Sequence, residues 1–141
     1  REVEAKLKRN IKWATIISKN SILQENVSIG EGTIIVANTV INTGTIIGKH
    51  CLINTSSSID HHNNFKNFSS TGPGVITGGN VKIGEMSHLF IGSIIKNNIN
   101  IKSNALIGGS SFVNNDCDKN SVYYGVPAKK IRLRKENEEY L

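Results

Sequence analysis

Two adjacent histidines, His61 and His62, follow Asp60 in the polar stretch SSIDHHNN. Imidazole titrates close to neutrality, so a histidine in a polar turn can accept a proton from a hydroxyl or amino group. The residues alone leave three readings of this stretch open: a catalytic base, a pair of metal ligands, or a polar corner. A metal site has little support. The chain has no CxxC or HxxxH spacing, and its two cysteines, Cys51 and Cys117, stand far apart. They read as buried structural thiols in a reducing cytoplasm, and no metal is expected.

What must hold Asp60, His61 and His62 is a repeat of six. Stepping by six from Ile11 to Val113 gives eighteen positions, sixteen of them apolar, with Thr71 and Thr77 the exceptions. Four residues after each lies a second series, from Thr15 to Cys117. Sixteen of its eighteen members are Ser, Thr, Cys, Ala or Val, and Asn63 and Ile99 break it. A period of six fits neither a helix nor an uninterrupted strand, but it does fit short strands joined by regular corners. The matching architecture is an all-β, parallel β-helix, in which three hexads make one triangular coil. Eighteen hexads give six coils, a prism about 29 Å tall at the usual strand spacing.

Residues eighteen apart then stack on one another, and this places candidate groups together. His61 lies against Gly79, whose backbone N–H could hold a carbonyl oxygen and then an oxyanion. Ser70 lies under His88 in the same way. His61 also stacks on Thr43, and His62 on Gly44 and Asn80, so no two histidines form a vertical pair of ligands.

Composition agrees with a solenoid of small residues: hydrophobic content is 38% and aromatic content 6%, low for a core of large side chains. Lys and Arg number 17 against 11 Asp and Glu, a net charge of +6. The basic residues are densest in KKIRLRK, Lys129 to Lys135, without the interleaved aromatics expected of a nucleic-acid surface, so nucleic acid is not an expected partner. No apolar run approaches a membrane span, and no membrane association is expected. Domain boundaries follow the repeat: a short helix over 1–10, the β-helix over 11–118, and a C-terminal loop and tail, or loop and helix, over 119–141.

The stretches IGEGTIIVANTVINTGTIIGKHCLIN, NVKIGEMSHLFIGSIIKNNINIKSNALIGGSSFV and YYGVPAKKI resemble the hexapeptide-repeat acyltransferases, which implies that the β-helix is left-handed. Within them the chain is similar, over roughly residues 13 to 131, to the bacterial sugar acetyltransferases that include sialic acid O-acetyltransferases and the bacillosamine-pathway N-acetyltransferase. The resemblance implies a catalytic His61 as general base and Gly79 as oxyanion donor. It implies that Gly79, Gly108, Gly109, Pro127, Ala128 and Lys129 contact acetyl-coenzyme A, with Arg132 a further charge near its phosphates. It also implies that residues 1–10 are the remnant of an upstream nucleotide-sugar-binding domain, although a cap on the first coil is the alternative.

Two departures from the family pattern stand out. His62 occupies the place of an acidic residue that orients the base, leaving Asp60 as a substitute, and Ser70 replaces a second histidine, with His88 one coil above. The expected function is a cytoplasmic acetyl-coenzyme A-dependent N- or O-acetyltransferase. Its acceptor would be a nucleotide-activated or sialic-type sugar, and its active sites would lie between the subunits of a homotrimer. The alternatives are a non-catalytic trimeric scaffold and, less favoured, a metal-dependent enzyme of the carbonic anhydrase kind on the same fold.

Overall fold

A computed structural model describes residues 11–135 and 138. The expected N-terminal helix over 1–10 lies outside the described residues. Seventeen two-residue strands follow one another from Ile16–Ile17 to Phe112–Val113, each separated from the next by a four-residue corner. Each strand up to Ile94–Ile95 pairs in parallel with the strand three further on, so the strands sort into three sheets, the faces of a triangular prism.

The first face contains Ile34–Ile35, Leu52–Ile53, Ser70–Thr71, His88–Leu89 and Leu106–Ile107; the second contains Val40–Ile41, Ser58–Ile59, Ile76–Thr77 and Ile94–Ile95; the third contains Ile46–Ile47, Asn64–Phe65 and Lys82–Ile83. Register is eighteen residues throughout, as in Ser58↔Ile76 and Asn64↔Lys82.

Each strand presents one residue inward and one outward, which follows from the two-residue alternation of a pleated strand. The inward set is the six-residue series: Ile41, Ile53, Ile59, Ile83, Leu89, Ile101 and Ile107 are completely buried. The small-residue series is buried at the corners, where Thr33, Thr39 and Thr45 donate their hydroxyls to carbonyls of the next coil. In the first coil Ile11, Ile17 and Leu23 are 38%, 44% and 36% exposed, because no described coil lies beneath them.

Corner residues explain the abundance of Asn. Twelve non-glycine residues have left-handed backbone, each within a corner; six are Asn (Asn26, Asn38, Asn80, Asn98, Asn104 and Asn120), and the others are His50, Ser56, His62, Phe68, Met86 and Ser110. Asn tolerates that conformation better than most side chains. His62, at φ 55°, occupies one of these positions.

After Phe112–Val113 the repeat ends. Ser121–Gly125 adds a parallel strand beside Leu106–Ile107 on the first face, and Ala128–Leu133 folds back antiparallel on it. The loop or helix expected after residue 119 is therefore corrected to a β-hairpin turning at Val126–Pro127. The physical reason is backbone pairing: Ala128–Leu133 runs antiparallel to Ser121–Gly125, with Tyr124 opposite Lys129 and Gly125 opposite Ala128. Among the described residues no helix is long and apolar enough to cross a membrane.

Candidate active site

The corner joining the second face to the third carries Asp60, His61, His62 and Asn63. Two of the four exceptions to the repeat, Asn63 and Thr77, meet beneath it. Asn63, 1% exposed, donates its Nδ2 to the Asp60 carbonyl at 2.6 Å, to the Gly78 carbonyl at 3.1 Å and to Thr77 Oγ1 at 3.2 Å. Its Oδ1 accepts the Val81 N–H at 2.9 Å, and its own N–H goes to Thr45 Oγ1 at 3.2 Å. Thr77 Oγ1 accepts the Asp60 N–H as well. A buried amide with all these bonds satisfied ties the histidine corner to the coils on either side of it. Asn63 and Thr77 were not among the residues expected to matter, although their place as exceptions to both series was the signal.

Above this support the side chains separate. Asp60 Oδ1 accepts the backbone N–H of His61 at 2.8 Å and Asn42 Nδ2 at 3.3 Å, so it fixes the turn and not the imidazole. The His61 ring lies over Gly79: a Cβ there would collide with Cε1 and stand 2.5 Å from Nε2. No hydrogen bond is made by the Gly79 N–H among the described residues, whereas Gly78 N–H is bonded to the Ile95 carbonyl. The His62 ring points to the other neighbouring coil, over Gly44, where a Cβ would come within 2.8 Å of Cδ2. The two rings touch through their Nδ1 atoms, 3.0 Å apart, at an interplanar angle of 79°.

His61 and Gly79 open onto a groove of about 630 Å³ along the second face, walled by Asp60, Ile76, Ile94 and Lys96 and by Asn97 one coil beyond Gly79. That size suits a drug-sized ligand or part of a larger one. His62 is not part of the wall.

Ser70 and His88 form a separate pair on the first face, with Ser70 Oγ 2.5 Å from His88 Nδ1 and Phe90 edge-on to the imidazole at 4.4 Å. Burial, reinforced by the Arg134 charge, lowers the His88 pKa to about 4, so this imidazole is neutral at pH 7. Gly108 and Gly109 lie at the corner where the second face begins, the opposite edge from His61. The open side of Gly108 is filled by the Tyr124 ring, and Gly109 faces Ile91. Pro127, Ala128 and Lys129 sit at and after the hairpin turn, with Lys129 exposed. Within one chain the structure thus brings together Asp60, His61, His62 and Gly79, and leaves the Ser70–His88 pair, Gly108–Gly109 and the hairpin elsewhere.

Both cysteines are buried and free, and burial raises both thiols, Cys117 to about 12 with Asp116 and Asp118 adding to the effect.

No family model matches the sequence. Solved structures do resemble the chain. A perosamine N-acetyltransferase from Caulobacter crescentus, in complex with CoA and GDP-perosamine, aligns with TM-score 0.88 and 26% identity, covering 93% of this chain and 66% of that one. The acetyltransferase domain of PglB from Neisseria gonorrhoeae, in complex with acetyl coenzyme A, aligns with TM-score 0.86 and 25% identity, covering 92% and 62%. AntD, an N-acyltransferase from Bacillus cereus in complex with dTDP and Coenzyme A, aligns at 0.80 over 96% and 89%, and at 19% identity this likeness concerns the fold. The chain spans about two-thirds or less of the length of the perosamine and PglB proteins it matches. In fold and in repeat, it fits the hexapeptide-repeat sugar acetyltransferases.

Proposed function

We propose that the protein transfers an acetyl group from acetyl-coenzyme A to an amino or hydroxyl group of a nucleotide-linked sugar by direct attack on the thioester. The observation that carries this reading is the His61–Gly79 contact: an imidazole lies directly over a backbone whose N–H has no partner among the described residues, at the edge of a groove. The acceptor needs a base for the proton it loses, and the thioester oxygen needs a donor as it becomes an oxyanion. The corner supplies both within one contact distance. The solved neighbours that bind CoA together with a nucleotide sugar support the substrate class.

In this reading His61 Nε2 takes the acceptor's proton as the new N–C or O–C bond forms. The Gly79 N–H stabilises the oxyanion, and the C–S bond breaks to release coenzyme A as its thiol. Gly108, Gly109 and the residues Pro127, Ala128 and Lys129 belong to the coenzyme A path. They lie away from His61 in one chain, so the path would be completed across a neighbouring prism in a homotrimer. A nucleotide sugar and acetyl-coenzyme A are both cytoplasmic metabolites, so the proposed reaction would run in the cytoplasm. Thiol release from acetyl-coenzyme A, measured with a panel of nucleotide-linked amino sugars and sialic acid, tests the proposal. Turnover with at least one acceptor is expected; hydrolysis no faster than the blank with every acceptor would refute it.

A further inference from the structure

The Nδ1–Nδ1 contact between His61 and His62 at 3.0 Å carries more than proximity. A neutral imidazole has one N–H and one lone pair, so a bond between two Nδ1 atoms requires one ring to be protonated there and the other not. The direction decides which nitrogen of each ring is left basic. Asp60 does not decide it, since its Oδ1 is bonded to the His61 backbone N–H and to Asn42. What differs between the rings is where Nε2 points. That of His61 lies over Gly79 in the groove, and that of His62 lies against Gly44, outside the groove wall.

We infer that His62 is a positioning residue: its Nδ1 accepts the Nδ1–H of His61, fixing the tautomer that leaves the His61 Nε2 lone pair facing the groove. This rests on the reading of His61 as the base. His62 makes this contact from a left-handed backbone, φ 55°.

The arrangement does the orienting work of a carboxylate with a neutral group, and the charge balance changes accordingly. The acceptor's N–H or O–H bond breaks and its proton goes to His61 Nε2, so the pair passes from neutral to a single positive charge. It would pass from negative to neutral if a carboxylate stood at position 62. That positive charge arises beside the developing oxyanion and the departing thiolate, and it returns to neutral when His61 gives the proton to the thiolate. Electrostatically the pair suits a reaction whose transition state is anionic.

The test is nitrogen NMR on the full chain labelled with 15N-histidine, combined with steady-state kinetics. His61 is expected as the Nδ1–H tautomer in the wild type. In His62→Ala it should shift towards the Nε2–H form that free imidazole side chains favour, and kcat should fall by about tenfold or more while coenzyme A affinity is unchanged. His62→Asp supplies an acceptor and no donor, suits a left-handed corner, and should restore the Nδ1–H tautomer and most of kcat. An Nε2–H tautomer at His61 in the wild type would overturn the inference. So would a folded His62→Asp that fails to restore the Nδ1–H form. The NMR readout needs no substrate: an Nδ1–H His61 that depends on residue 62 in a protein inactive on every sugar would support the pairing and refute the acetyl-transfer reading.

Discussion

His88 shows how a single side chain can tie stability to pH here. Its imidazole, held by Ser70 Oγ and Phe90 and desolvated by burial, has a pKa of about 4 in the folded chain, below the ordinary value of 6.5. Between those two values the unfolded chain binds the proton and the folded chain does not, so stability falls as pH drops from 6.5 towards 4. The loss should be on the order of 2 kcal/mol. Thermal melts at pH 7 and pH 4.5 would read it as a drop in Tm that is smaller in His88→Asn. An identical drop in both proteins would mean that His88 is protonated when folded.

At the scale of elements, the hexads and the stacking of His61 on Gly79 were legible because a period of six leaves little choice of corner. The terminal hairpin was not, since its alternating Ile131 and Leu133 lie in a run dense in Lys and Arg whose charge masked the strand period. The Asp60 role was also out of reach: sequence puts the carboxylate beside His61, but only the turn geometry shows it bonded to the backbone N–H and not to the ring. Asn63 and Thr77 were legible as exceptions, yet their mutual bond needs two adjacent coils in register. The hairpin carries its own prediction. If it holds the phosphates of coenzyme A, Lys129→Glu should weaken binding by about five- to tenfold at low salt, with the difference shrinking as salt rises. Calorimetry showing equal affinity at every ionic strength would remove the hairpin from the coenzyme A path.

The whole molecule leaves apolar side chains uncovered on all three faces: Ile34 is 40% exposed, Ile46 49%, Ile76 46% and Ile94 42%. Ile76 and Ile94 wall the groove beside His61, so a neighbouring prism that covered them would also complete the site. Light scattering at micromolar concentration should give about three times the chain mass of 15.4 kDa, and a mass near one chain would contradict the trimer. The central claim is that His61 removes the acceptor's proton, and turnover of His61→Ala on an accepted sugar tests it most directly. The account predicts a fall in kcat of about 100- to 10,000-fold with coenzyme A affinity little changed. Near wild-type turnover in a folded His61→Ala protein would contradict it.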